Sequence, residues 1–583
     1  MHEFKVWAPR ANKIAIKIGN EATAMQGPSE SGWWKASIDS ADDGTDYAFL
    51  LDDDNTLYPD PRSLWQPEGV HGRSRVYDQR RFHWTDDTWQ GPPFSGAILY
   101  ELHIGTFTAE GTFDSAIARL DHLHALGVTH IEIMPVNAFP GAQGWGYDGV
   151  ALYAVQQSYG GPDALKRFVD ACHHRGLAVI LDVVYNHFGP TGNYTGKFGP
   201  YLTDRHKTPW GDAVNFDEGG SDEVRRFFCD NALMWMRDYH IDGLRLDAIH
   251  EFMDRSAVHF LEQLSSEVET LSATLQRKLI LIAESDLNDP KIVRPREAGG
   301  YGIDAQWSDD FHHALFTLMH MEPNGAGYYS DFGSFEKLVK ALTHIFVFDG
   351  GYSRYRNRSH GRPVDGLSAH HFISFIQNHD QIGNRAKGER LEHLVGMNRA
   401  RIAAALLFTA PFIPMIFQGE EFAASTPFLY FADHEDEEMA RLVSAGRRRE
   451  FAAFGFDGDD IADPENEATF LRSKLHWSEL NEGIHAEMHI WFRSLIRLRR
   501  CSQSLNDGDK DHVEIRYDEE KKWLCMQRGL VTILCNLGET SPQFEAPEDS
   551  RLELSTVPSL AIVDGKVTLP PDSLCILSAE EPY

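Results

Sequence analysis

Between residues 97 and 417 the chain carries eight short apolar runs, separated by longer segments whose apolar residues recur at three- and four-residue spacing. The runs are 97–103, 130–136, 178–186, 243–248, 279–284, 305–308, 372–378 and 411–417. Strands that alternate with amphipathic helices are the signature of βα units, and eight of them is the number that closes a barrel. The intervening pattern is clear at 221–239, where Val224, Phe227, Phe228, Asn231 and Trp235 share one mostly apolar face and Ser221 is placed to cap the helix. The expectation is a central (β/α)8 TIM barrel over 95–503.

The flanks read differently. Within 1–90, Ile14, Ile16 and Ile18 alternate with Ala15 and Lys17, and Gly, Asn and Asp clusters break the short runs, which predicts a small N-terminal β-sandwich. Pro92 and Pro93 mark a linker. After a last helix around 484–501, Val513, Ile515 and Tyr517 alternate with Glu514 and Arg516, which predicts a C-terminal antiparallel β domain over 504–583. A chain of 583 residues is too long for one core, so a multidomain protein is expected.

The net charge of −32 disfavours nucleic acid or an anionic membrane as partner, because both demand clustered Lys and Arg. The opening residues run straight into strand-like alternation without the features of a secretory signal, which points to the cytoplasm. The apolar stretch 402–417 contains Pro411 and Pro414 and reads as a buried helix leading into a buried strand, not a membrane span. Six scattered cysteines lack metal-binding spacing and read as reduced thiols.

In a barrel of this kind the active site is built at the carboxyl ends of the strands. Four segments end in clustered polar residues there: Leu181-Asp-Val-Val-Tyr-Asn-His187, Asp242-Gly-Leu-Arg-Leu-Asp-Ala-Ile-His250, Ile282-Ala-Glu-Ser-Asp286 and Phe375-Ile-Gln-Asn-His-Asp380. Carboxylates carried on different strands converge on one cavity, and a pair about 5 Å apart suits a retaining glycosidase. Arg245 lies two residues before Asp247 on the same strand face, where its fixed charge keeps that carboxylate ionised. Neighbouring carboxylates would raise the pKa of Glu284 and keep it protonated.

These segments, in this order, resemble the shared motif regions of the α-amylase superfamily of glycoside hydrolases. The resemblance implies Asp247 as nucleophile, Glu284 as acid/base and Asp380 as the carboxylate that stabilises the distorted sugar. It also implies that His187 and His379 donate to sugar hydroxyls, and that Tyr147, in Gly144-Trp-Gly-Tyr-Asp-Gly149, stacks beneath the same ring. Arg245, His250 and Gln381 join the substrate-binding set. Asn186 corresponds to a calcium-holding residue in many α-amylases, but no oxygen-rich loop completes a cage, so neither metal nor cofactor is expected. Asp182 reads equally as a rim hydrogen-bond partner and as a sugar contact.

Finer motifs narrow the branch. Trp307-Ser-Asp-Asp-Phe-His-His313, Gln418-Gly-Glu-Glu-Phe422, Phe428-Leu-Tyr-Phe-Ala-Asp-His434 and Gly446-Arg-Arg-Arg-Glu-Phe451 together resemble members that cleave the α-1,4 bond next to a terminal trehalose unit. That resemblance implies that Asp309, Asp310, His312, His313, Glu421 and Phe422 shape the trehalose subsites, and that a maltooligosyltrehalose-forming enzyme is the functional partner. His312 and His313 read alternatively as helix-start residues, and Trp210 and Tyr430 as stacking platforms or packing. Residues 321–327 and Gln418 depart from the expected pattern. The competing functions are a 1,4-α-glucan branching enzyme and a non-catalytic glycan-binding protein; three crowded carboxylates disfavour the latter.

Overall fold

A computed structural model describes residues 1–320, 327–452 and 461–581, so 321–326 of the divergent stretch 321–327 lie outside the described residues. Eight parallel strands close into a barrel: Leu99–Leu102, His130–Ile133, Ala178–Val183, Gly243–Leu246, Ile280–Ala283, Ala305–Trp307, Phe372–Phe375 and Ile413–Phe417. Each falls within one of the eight apolar runs and stops short of that run's end, except the last, which ends at Phe417. The barrel closes where the eighth strand pairs with the first, Met415 opposite Leu99. Inside it, Leu99, Ile180, Ile280, Ile282, Trp307, Ile373, Phe375 and Met415 form a packed core.

The helix at Ser221–Asp238 buries Val224, Phe227, Phe228, Asn231 and Trp235, as its spacing predicts. Its cap differs from expectation. Ser221 is the first helical residue and makes no capping bond, while Gly220 precedes it at φ 86°, a left-handed turn that glycine adopts without a Cβ clash. The 402–417 stretch is a helix, Met397–Thr409, followed by the buried eighth strand. No helix among the described residues is long and apolar enough to cross a membrane.

Two sheets precede the barrel: His2–Trp7 pairs with Trp33–Ile38, and Ile14–Ile18 lies between Glu21–Ala24 and Asp46–Leu51. They dock on the helix Ser221–Asp238, where Trp33 donates to Glu223 and Arg62 pairs with Asp230. Behind the barrel, a five-stranded antiparallel sheet spans Val513 to Ser578, with a two-stranded ribbon beside it. Two buried arginines fasten this sheet to the barrel. Arg499 donates to the carbonyls of Phe408, Ala410 and Phe412, and Arg528 to that of Thr409, so one guanidinium from the last helix and one from the sheet cap the turn leading into the eighth strand.

Candidate active site

Strands four and five run in parallel register with Leu246 opposite Ala283, so the next residue of each, Asp247 and Glu284, emerges side by side. Asp380 arrives from the seventh strand on the short helix His379–Gly383. Arg245 lies between the first two carboxylates. Its Nη1 donates to Asp247 Oδ1 at 2.7 Å and to Asp182 Oδ2 at 2.8 Å, while Nη2 stands 3.1 Å from Glu284 Oε2. The guanidinium is fully buried and lies 4.2 Å over the Trp307 ring, a cation–π contact that holds its plane. Asn186 Nδ2 donates to the other oxygen of Asp247 at 2.7 Å, so both of its carboxylate oxygens have a fixed donor.

The two carboxyls sit in unlike surroundings. Burial, with Asp247 and Asp380 nearby, pushes Glu284 up to about 8 against the opposing pull of Arg245 and the Ala248 N–H. Glu284 is therefore protonated at neutral pH and available as a proton donor, whereas Asp247 is gripped by a guanidinium and an amide. Asp380 is the most open of the three, with its side chain 46% exposed at the mouth of the site.

A hydrogen-bonded chain runs beneath the site. Glu101, buried inside the barrel, accepts from His379 Nδ1 and from its backbone N–H. His379 Nε2 meets the Tyr147 hydroxyl at 2.8 Å, which donates to Asp182 at 2.6 Å, which in turn accepts from Arg245. Tyr147 stacks on His379 with ring centroids 5.2 Å apart. Burial would lower the pKa of His379, but Asp380 and Glu101 carry it up to about 9, so it is an imidazolium. Asp182 is 1% exposed and raised to about 6, chiefly by burial. Of its two readings, the one realised here is the partner of Arg245 and Tyr147.

Around this centre, His187 stacks flat on Trp210, 4.4 Å between centroids and 8° between planes, and bonds through Nδ1 to the Asn186 side chain. Trp210 is 49% exposed at the tip of a two-stranded ribbon, Leu202–Thr208 with Gly211–Val214. Gln381 donates to Asp309 at 3.0 Å, and burial with Asp310 and Asp380 raises Asp309 to about 7. His250 lies on the turn Ile249–Glu251 after the fourth barrel strand, with Nδ1 buried and unpartnered among the described residues.

Several residues expected in the trehalose subsites point elsewhere. Asp310 turns into the fold and accepts from Asn288 Nδ2 at 2.9 Å and Val347 N at 2.6 Å. His312 is buried between the Ile376 carbonyl and the Tyr329 hydroxyl. His313 Nδ1 bonds to the Asp309 carbonyl, its ring facing Tyr328 and Phe332. Successive helical residues point about 100° apart, so a paired motif at a helix start sends its members in different directions. Glu421 and Phe422 lie in the core behind the eighth strand: Glu421 accepts from Tyr100 and pairs with His122 at 2.9 Å, and Phe422 packs on Trp477. Tyr430 sits edge-on to Trp145, beneath Arg447.

Asn186, Glu101 and His103 belong to the site's support and were not among the expected contacts. His103 Nε2 bonds to the Gly144 carbonyl and Trp145 Nε1 donates to Leu429 O, which together fix the loop bearing Tyr147. The signal for Glu101 is an acid inside an otherwise apolar strand run, since a buried charge implies a partner. Gln418 is likewise internal, joined to His103 N and Thr106. Among the described residues no group of three or more His, Cys, Asp or Glu side chains is arranged to hold a metal ion.

The profile of the alpha amylase catalytic domain matches residues 75–206. A malto-oligosyltrehalose trehalohydrolase of Mycobacterium tuberculosis is 46% identical over 100% of both chains. Another, of Arthrobacter ramosus, is 50% identical over 85% of this chain and 87% of its own length. A crystal structure of a putative alpha amylase from Salmonella typhimurium superposes with a TM-score of 0.90 at 35% identity, covering 99% of this chain and 97% of that one. The chain belongs to the malto-oligosyltrehalose trehalohydrolase family of α-amylase-type glycoside hydrolases.

Proposed function

We propose that this chain is a retaining glycosidase that hydrolyses the α-1,4-glucosidic bond next to the terminal trehalose unit of maltooligosyltrehalose, releasing trehalose. The observation that carries the mechanism is the single guanidinium of Arg245 in reach of both Asp247 and Glu284. It holds the two carboxyls close together, and double displacement needs them about 5–5.5 Å apart. The substrate assignment rests on the full-length kinship with trehalohydrolases.

Asp247 attacks the anomeric carbon as the glycosidic C–O bond breaks, and the departing oxygen takes the proton of Glu284. The Glu284 carboxylate then removes a proton from water, whose oxygen bonds to the same carbon and displaces Asp247. Asp380, open to the cleft, is suited to hold sugar hydroxyls in the distorted ring. Trp210 and the Asp309–Gln381 pair flank this centre and suit contact with the sugars on either side of the scissile bond.

Such an enzyme draws its substrate from a maltooligosyltrehalose-forming enzyme. We place both in the cytoplasm, which suits six unbridged cysteines. Incubation with a maltooligosyltrehalose and, separately, a maltooligosaccharide of equal length tests the reading. Rapid release of trehalose from the first with slow attack on the second is expected. Branched or longer glucans from the second would replace it with a transferase.

A further inference from the structure

Ala248 follows the nucleophile and is a non-glycine residue in the left-handed region, at φ 39° and ψ 53°. A side chain with a Cβ is disfavoured there, and such strain persists where the surroundings over-determine it. Here they do. Asp247 O accepts from Asn186 Nδ2 and Ile249 N donates to Glu284 O, so the peptides on both sides of Ala248 are anchored, while Asp247 N–Val183 O and Glu284 N–Leu246 O fix the strands that carry them. The conformation aims the Ala248 N–H at Glu284 Oε2, 2.6 Å away. The same oxygen stands 3.1 Å from Arg245 Nη2. Among the described residues, no donor reaches Oε1.

We propose that Ala248 is a positioning residue whose backbone N–H keeps Glu284 Oε2 a permanent acceptor, so that the transferable proton resides on Oε1. A proton on Oε2 would face the Ala248 N–H head-on and lie against the positive charge of Arg245. On Oε1 it meets neither. The same peptide joins the nucleophile to the acid/base, so the one bent residue sets the spacing of the two reacting carboxyls. In the first half-reaction Oε1 gives its proton to the departing glycosidic oxygen; in the second, Oε1 takes one from water. Oε2 remains an acceptor throughout. The proposal rests on Glu284 being the acid/base.

Replacing the Asp247–Ala248 amide by an ester, with lactic acid at position 248, removes the N–H and leaves every side chain in place. Losing a donor to a carboxylate disfavours its charged form, so the alkaline limb of kcat/KM on maltooligosyltrehalose moves up by about 0.5–1 pH unit. Glycosylation by α-maltotriosyl fluoride, whose leaving group needs little protonation, is expected to stay within about twofold, while the natural glycoside loses about tenfold or more. Ala248→Val provides a second route, because a β-branched residue rejects the left-handed region; its limb moves the same way, while Ala248→Gly keeps the wild-type limb. An unmoved limb in the ester and valine forms, or an equal loss on the fluoride and the glycoside, overturns the proposal. Glu284→Gln separates the two levels: full turnover of maltooligosyltrehalose by that variant would refute the acid/base assignment itself, whatever the ester shows.

Discussion

His379 is held from inside the barrel by Glu101, which accepts from both its Nδ1 and its backbone N–H and so fixes ring and peptide together. Because the pKa of His379 is raised to about 9, its pairing stabilises the fold fully below about 6.5, the ordinary histidine value, and that contribution fades as pH rises through about 9. Glu101→Gln leaves the imidazolium without its counter-charge and is expected to cost about 3–5 kcal/mol near neutrality. Thermal unfolding at pH 7 and pH 10 checks this: the gap between wild type and variant narrows at the higher pH. An equal gap at both would mean that His379 is neutral throughout.

The acid/base role proposed for Glu284 requires it to be protonated, and its pKa is raised to about 8 by burial and by its neighbours Asp247 and Asp380. The pH profile of kcat/KM should therefore hold its value through neutrality and fall on the alkaline side near pH 8. In Glu284→Gln the limb disappears and turnover drops by about 10²–10⁴-fold, with substrate binding measured by calorimetry largely kept.

The loop bearing Tyr147 turns at Gly146, where φ is 99° and a Cβ would lie 2.1 Å from the Pro135 carbonyl oxygen. Backbone cannot yield as a side-chain tip can. Gly146→Ala is expected to shift Tyr147 off His379 and lower kcat/KM by about 10²-fold, since small misplacements at a reacting centre carry costs of that order. Near-UV circular dichroism, sensitive to Trp145 next door, would report the displacement with the overall fold retained.

Glu421 separates a buried structural acid from a subsite residue. It is fully buried against Tyr100 and His122, so Glu421→Gln should lower stability by about 1–3 kcal/mol while KM for maltooligosyltrehalose stays unchanged. A raised KM with unaltered melting temperature would return it to the substrate pocket.

What could be read from the residues follows from periodicity. Barrel strands are buried on both faces and so appear as unbroken apolar runs, and the abrupt polar ends of those runs mark the rim where Asp247, Glu284 and Asp380 stand. Direction was harder to read. Asp309 faces the site and Asp310 the interior, though they are adjacent and chemically alike, because the choice depends on where a helix begins to turn. Glu421 lies on the turn Glu420–Phe422 past the eighth strand, where all three residues face the core although their place after a barrel strand suggests the rim. Residues that act through others, such as Glu101 and Asn186, leave little trace in local spacing because their partners lie far away along the chain.

The arginine clamp behind the barrel bears on how this protein can be taken apart. Arg499 and Arg528 satisfy carbonyls at the entry to the eighth strand, and they come from two different pieces of the chain. A truncation just after the last helix would keep the first guanidinium and lose the second, baring a peptide oxygen that water reaches poorly. The natural cutting point for grafting or minimising the enzyme is therefore not the linker before the sheet: helix, sheet and eighth strand form one indivisible module, and a catalytic fragment trimmed to the barrel alone would loosen at the strand that completes it.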